Sequence, residues 1–254
     1  VFLRRQFGRI IFSVHVKKSK MKKENEKTQE PFAKPRMVSR RKFLYTATIA
    51  ASATGILIAG CKKDDDTTPV PGAVDLGSGD TGILNYAYAL EQLEAAFYTK
   101  VVSTPYSGIS LYESNILNDI QKHEVAHREF LKAALGSAAI IDLAVDFSTI
   151  DFTSRSSVLA TAKAFEDLGV SAYNGAGQLI ASTDYLLIAG KIVSVEARHA
   201  AVIRDLLNPL SMDFAGSDVV NSDGLDMARS PSEVFAIAGM YVTTPLDISH
   251  LPTN

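Results

Sequence analysis

The sequence has few cysteines and no tryptophan: one cysteine, Cys61, occurs among 254 residues. A single cysteine excludes an internal disulfide, so folding has to rest on packing and on any bound metal. Hydrophobic residues make up 46% of the chain. That is enough for one good core and too little for two large domains, so we expect one folded domain.

Positive charge is scarce after residue 60. Residues 1–60 carry 14 Lys or Arg against 3 Asp or Glu, a net of +11, whereas residues 61–254 carry 12 against 25, a net of −13. An acidic domain is repelled by phosphate backbones. We therefore expect no nucleic acid among the partners of this protein.

The chain also lacks a hydrophobic run of the roughly 20 residues that a membrane-spanning helix needs. Its most apolar segment, residues 45–60, follows the basic string Ser-Arg-Arg-Lys-Phe-Leu that begins at Ser39, and it ends in Ile-Ala-Gly-Cys at Cys61. A positive region, an apolar region and a small-residue cleavage site in this order are typical of a secretory signal peptide. We expect translation to start at Met21 or Met37.

The basic string resembles the twin-arginine export signal, and the string ending at Cys61 resembles the lipobox of bacterial lipoproteins. This resemblance implies cleavage before Cys61 and a lipid on its thiol; the alternative is an uncleaved membrane anchor. The run from Lys62 to Asp66 resembles an acidic surface-export signal and fits a solvated tether equally well. We expect a signal region over residues 1–60, a tether over 61–80, and a lipid-anchored protein on the periplasmic or cell-surface face of the outer membrane.

Four long segments with a helical period follow the tether, and a short helix is predicted from Ser230. The four segments cover about residues 82–102, 112–135, 154–181 and 184–207. The connection over 136–153 is long, whereas the other two are short, so the sequence predicts an all-α four-helix bundle with one long crossover between helices 2 and 3. The bundle would span 81–208, and a C-terminal extension, 209–254, would pack on it.

Each predicted helix carries a glutamate in the middle of its apolar face. At about 100° per residue, apolar side chains gather within about 40° of Glu91, Glu124, Glu166 and Glu196. Buried unpaired carboxylates cost several kcal/mol each, and like charges in one core repel one another. Four such residues in one core therefore indicate compensation by bound cations.

Two of the glutamates are followed by histidine, at His127 and His199, three positions on. This spacing places both side chains on one face of the helix, one turn apart. Four carboxylates and two neutral imidazoles carry a charge that two divalent cations cancel, and oxygen-rich ligation suits iron or manganese better than structural zinc. Glu94, one turn beyond Glu91, is the alternative ligand of the first helix, and His123 fits a partly exposed helix residue better than a ligand.

One glutamate on each of two helices and Glu-x-x-His on each of the others resembles the site of ferritin-like di-iron and di-manganese proteins. The resemblance implies a ferritin-like four-helix bundle that binds two iron or manganese ions. Tyr98 and Tyr173 each follow a core glutamate by seven residues, a spacing also found beside the metal glutamates of ferritins. They would act beside the metals, or would be core aromatics that need a hydrogen-bond partner.

The family resemblance implies three functions, in the order in which we favour them. The first is an oxidoreductase that oxidises Fe(II) or reacts with oxygen or peroxide, with the two tyrosines in catalytic roles. The second is a non-catalytic metal-binding or stress-protective protein, because the strings Leu90 to Tyr98 and Pro231 to Tyr241 resemble desiccation-associated ferritin-like proteins. The third is a scaffold without metal.

Two features separate this chain from other ferritin-like classes. A lipid on Cys61 and the extension 209–254 do not fit a closed storage cage. The absence of a Cys-x-x-Cys pair removes the rubredoxin-type electron donor of rubrerythrins. The expected partners are metal ions, oxygen or peroxide, and a membrane through the lipid, and a homodimer is compatible with the sequence.

Overall fold

The structure is a computed structural model that describes residues 72–253. The predicted signal region, the lipidation site Cys61 and most of the predicted tether lie outside these residues. Among the residues described, no helix combines the length and the apolar character that crossing a membrane requires.

Four long helices and one short helix make up most of this part of the chain. They are α1, Gly79–Ser103; α2, Leu111–Leu135; α3, Arg155–Gly177; α4, Thr183–Leu207; and α5, Pro231–Ala238. Two short strands, β1 (Val74–Asp75) and β2 (Leu246–Asp247), pair in parallel. The prediction of an all-α bundle is confirmed. The third helix, however, ends at Gly177 instead of continuing to residue 181.

Local sequence fixes where two of the helices begin. Ser110 and Glu113 form a capping box at the start of α2, and Ser230 and Glu233 form another at the start of α5. In each box the serine hydroxyl accepts from the backbone N–H of the glutamate, and the glutamate carboxylate accepts from the backbone N–H of the serine. Pro231 occupies the first turn of α5, where its missing N–H costs nothing. The predicted start of the short helix is confirmed.

The long crossover between α2 and α3 lies along α1. Asn85, near the start of α1, donates to the carbonyl of Ala138 and accepts from the N–H of Ile140. Further along, Gln92 accepts from the N–H of Leu143, and the Phe97 ring packs against the crossover residues Phe147 and Phe152. This strap covers the outer side of α1, so α1 is buried almost all round between Ile83 and Tyr98.

Residues 209–253 are bound to the bundle by close contacts with α3 and α4. At Gly175 in α3 an added Cβ would lie 1.8 Å from the Arg229 carbonyl oxygen, so only glycine allows the tail backbone to approach this closely. Arg204 in α4 is 3% exposed and bonds both Asp167 in α3 and Asp218 in the tail. The two carboxylates together neutralise this buried guanidinium.

Candidate metal centre

The six predicted ligands come together in the middle of the bundle. The four glutamates are each fully buried, although they lie on four different helices. His199 is 4% exposed, and the His127 side chain is 13% exposed. The angular argument from sequence therefore placed each of these side chains on the correct face of its helix. The glutamates are Glu91 on α1, Glu124 on α2, Glu166 on α3 and Glu196 on α4.

These side chains form two overlapping groups, each compact enough for one metal ion. Glu124 and Glu196 belong to both groups; Glu91 and His127 complete the first, and Glu166 and His199 complete the second. Within each group, one ligand atom per residue lies within 4.8 Å of the others. Glu124 connects the two groups, because its Oε2 lies 3.5 Å from His127 Nδ1 and its Oε1 lies 2.7 Å from His199 Nδ1.

Each unshared glutamate is oriented by a tyrosine from the opposite helix. Tyr98 on α1 donates to Oε1 of Glu166 at 2.5 Å, and Tyr173 on α3 donates to Oε1 of Glu91 at 2.6 Å. The Oε2 atoms of both glutamates then face the histidines, at 3.5 Å in each half of the site. The two tyrosines thus form a crossed pair: each donates to the glutamate that lies on the helix of the other tyrosine.

The atoms that face the centre lack hydrogen-bond partners among the described residues. They are Glu91 Oε2, both oxygens of Glu124 and Glu196, Glu166 Oε2, and Nδ1 of His127 and His199. Some of them are close to one another, such as His127 Nδ1 and Glu196 Oε1 at 2.9 Å, but they are not aligned as hydrogen bonds. Buried polar atoms are rarely left unpaired. Oxygen and nitrogen atoms that face one shared volume without partners are the donor set that a divalent cation needs, so the residues fit a metal site.

Burial and mutual repulsion disturb the carboxylates strongly. Burial raises the pKa of Glu91 to about 7 and that of Glu166 to about 6, and Glu124 adds repulsion to both. Burial, followed by the charges of Glu124 and Glu91, raises the pKa of Glu196 well above its ordinary value. Burial would also raise the pKa of Glu124, but the two histidines beside it lower the value to about 2.

The histidines respond in the opposite direction. Burial lowers the pKa of an imidazole, but the surrounding carboxylates outweigh it and raise the pKa of His127 to about 12 and that of His199 to about 10. Without metal, the cluster therefore holds protons in place of cations. Binding a metal has to displace these protons, because an imidazole ligand must be neutral.

Glu94 is a fifth buried glutamate at the edge of this cluster. It is 4% exposed, and its Oε2 has no hydrogen-bond partner in the described part of the chain. Burial and the charges of Glu196 and Glu124 raise its pKa well above the ordinary value. Sequence reasoning treated Glu94 as the alternative to Glu91, but both side chains face the core. The Glu94 carboxylate fits beside α3 because Gly169 has no side chain at that position.

His123 is exposed, as expected, but it also contacts a predicted ligand. Its Nδ1 lies 2.9 Å from Nε2 of His199, and the two rings meet edge to edge with an angle of only 7° between their planes. Sequence spacing could not reveal this contact, since it joins α2 to α4 and depends on how the two helices are rotated.

A four-helix bundle with one long crossover and a buried Glu/His cluster is typical of ferritin-like proteins. The family model for the ferritin-like domain matches residues 79–209, which is more than half of the chain. The chain therefore belongs to the ferritin-like domain family. No curated protein matches the sequence significantly.

Proposed function

We propose that this protein is a lipid-anchored oxidoreductase of the cell envelope that binds two iron or manganese ions and oxidises Fe(II) or reacts with peroxide. The observation that carries the proposal is a set of eight buried atoms that face one volume and have no hydrogen-bond partner within residues 72–253. The residues that contribute these atoms form two four-residue groups that share Glu124 and Glu196. Two metal ions held by these residues would supply two one-electron steps at one place.

The roles of the side chains follow from their contacts. Glu124 and Glu196 would bridge the two ions, and Glu91 and Glu166 would each bind one ion through the oxygen that its tyrosine leaves free. Nδ1 of His127 and of His199 would complete the two sites. The hydroxyls of Tyr98 and Tyr173 donate to the unshared carboxylates and would hold them in place beside the ions.

The choice of substrate follows from electron supply. Disproportionation of two hydrogen peroxide molecules to two waters and one dioxygen requires no external reductant. Oxidation of Fe(II) by dioxygen takes its electrons from the substrate itself. Both reactions suit a chain with a single cysteine and therefore no four-thiolate site for a further redox metal.

The test is the metal content of the purified full chain together with its consumption of peroxide or oxygen. We expect close to two iron or manganese ions per chain with turnover. Glu124→Gln and Glu196→Gln should each lower the metal content and abolish turnover, while Glu129→Gln, an exposed carboxylate on α2, should change neither. Full metal content in both core variants would show that the site is assigned wrongly.

The strong perturbation of the buried acids favours a second candidate, a metal-stabilised protein without turnover. The five buried glutamates and two histidines of the cluster are costly to bury without cations. Metal binding would therefore stabilise the fold whether or not the protein is an enzyme. Such a protein would lose melting temperature in Glu124→Gln and show no peroxide or oxygen consumption at full metal load. A scaffold without metal would show no turnover, and Glu124→Gln would not lower its melting temperature.

Envelope attachment is a proposal that rests on the sequence around Cys61. Cys61→Ala should move the protein from the membrane fraction to the soluble fraction and abolish incorporation of labelled fatty acid. Replacing Arg40 and Arg41 by lysine should block export and leave the protein in the cytoplasm. Membrane association that persists in Cys61→Ala would instead favour an uncleaved anchor.

A further inference from the structure

The edge-to-edge pair of His123 and His199 makes the two halves of the centre unequal. The ring centroids are 5.1 Å apart, and the Nδ1 to Nε2 distance of 2.9 Å is that of a good hydrogen bond. His199 is 4% exposed, whereas His123 is exposed at the surface of α2. The pair therefore runs from the buried cluster to solvent.

The site dictates which nitrogen of His199 carries the proton. Its Nδ1 faces the cluster, 2.7 Å from Glu124 Oε1 and 3.5 Å from Glu166 Oε2. A nitrogen that binds a metal must present its lone pair, so in neutral His199 the proton sits on Nε2. The atom placed to accept that proton is Nδ1 of His123, whose own proton then lies on the solvent side of its ring.

The other half of the centre has no equivalent contact. Within residues 72–253 no protein partner is found for Nε2 of His127. His123 directly precedes Glu124, and the corresponding position before Glu196 is Val195, which has no hydrogen-bonding side chain. One imidazole ligand is thus oriented by a neighbour, whereas the other is not.

We infer that His123 is a positioning residue for one of the two metal sites. It accepts the Nε2–H of His199, fixes the tautomer and the ring orientation, and makes the His199 half the tighter of the two sites. Outer partners of metal-bound histidines act in this way in general, and their loss weakens metal binding by about 10–100-fold. The inference rests on the proposed two-metal function.

Two variants separate the hydrogen bond from the mere presence of a ring at residue 123. His123→Phe keeps a flat ring against His199 but removes the acceptor, and His123→Asn keeps an amide oxygen near the Nδ1 position but removes the ring. Lys122→Ala, an exposed neighbour that pairs only with Asp119 among the described residues, is the matched control. The full chain of each variant is titrated with Zn(II), a diamagnetic probe, against a competing chelator. Imidazole ¹⁵N–¹H spectra of the loaded protein report the tautomer and the N–H of His199.

We expect the unmodified chain to bind two Zn(II) ions with unequal affinity. His123→Phe should weaken the tighter site by about 10–100-fold and should broaden or shift the Nε2–H signal of His199, while the weaker site stays as it was. His123→Asn should restore the tighter site to within a few-fold, and Lys122→Ala should match the unmodified chain.

Three outcomes would overturn the inference. Unchanged affinities and an unchanged Nε2–H signal in His123→Phe would show that His123 does not orient His199. Equal loss in both His123 variants would show that an acceptor at residue 123 does not restore the tighter site. Failure of the unmodified chain to bind Zn(II), Fe(II) or Mn(II) would contradict the proposed function itself. If the unmodified chain binds two ions but the His123 variants behave like it, the proposed function stands and only the role of His123 is wrong.

Discussion

Gly169 on α3 lies directly against the carboxylate of Glu94 on α1. A Cβ built on the glycine would be 3.0 Å from Glu94 Oε1 and 3.5 Å from Glu196 Oε2. The first distance is shorter than ordinary van der Waals contact, so the absence of a side chain at residue 169 is what gives Glu94 its place beside the cluster.

Gly169→Ala should therefore disturb the metal site. Alanine in the middle of a helix usually stabilises by about 0.5–1 kcal/mol relative to glycine, but here its methyl group pushes Glu94 toward the other carboxylates. We expect metal binding about tenfold weaker, as for a displaced outer ligand partner. Gly190→Ala in α4 is the control, since an added Cβ there meets nothing within 4 Å. It should raise the free energy of unfolding and leave metal binding unchanged, as measured by urea titration and metal competition.

The crossed tyrosines predict a loss of stability that depends on the hydroxyl alone. Tyr98→Phe and Tyr173→Phe each remove a donor to a buried carboxylate, and hydrogen bonds to charged groups contribute about 1.5–3 kcal/mol. Tyr86→Phe is the matched control, because the Tyr86 hydroxyl is buried without a partner among the residues described. We expect urea unfolding to show a loss in the first two variants and no loss, or a small gain, in Tyr86→Phe. Equal stability of all three variants would contradict the assigned hydrogen bonds.

The pKa shifts predict how the stability of the metal-free protein depends on pH. The folded-state pKa of Glu91 is raised to about 7 and that of Glu166 to about 6, so the folded protein holds protons that the unfolded chain releases above about 4.5. His127 and His199 also have raised values, of about 12 and 10, and the stability they contribute is complete below about 6.5 and is lost as pH rises through the raised values.

These shifts all lower stability as pH rises from about 4.5 to 8, while Glu124, with its pKa lowered to about 2, acts only below about 4.5. The metal-free protein should thus melt at a lower temperature at pH 8 than at pH 5.5. Metal binding displaces the same protons, so the rise in melting temperature on adding Mn(II) should be larger at pH 8. Calorimetry with and without chelator measures both; a stabilisation by metal that is equal at the two pH values would contradict proton displacement.

Helical periodicity predicted which side chains of one helix share a face, but not which side chains of other helices surround them. Position along a helix determines which side chains share a face, so Glu124 and His127, or Glu196 and His199, could be assigned from spacing alone. Burial of α1 on nearly all sides left Glu94 undecided, because the strap and tail turn a second face of that helix inward. The apolar face that contains Glu91 is thus only one of the buried faces of α1.

Contacts between helices were not predictable from the same spacing. The pairs His123 with His199 and Gly169 with Glu94 depend on the rotation and offset of neighbouring helices, which side-chain packing decides. Arg204 shows the same limit: on a helical wheel it is a charge near the end of α4, and only the fold brings Asp167 and Asp218 to it. A buried arginine needs such partners, which makes the tail part of the folded unit.

The Arg204 contacts predict that the tail contributes to the stability of the bundle. Arg204→Met keeps the apolar stem but removes charged hydrogen bonds to Asp167, Asp218 and the Asp213 carbonyl, so we expect a loss of about 2 kcal/mol in the free energy of unfolding. Asp218→Asn should cost less than about 1 kcal/mol, because the Asp218 side chain is 60% exposed. Limited proteolysis should cut residues 209–230 faster in Arg204→Met than in Asp218→Asn. Equal cleavage in both variants would mean that Gly175 and Arg229, where the tail backbone meets α3, hold the tail without help from the guanidinium.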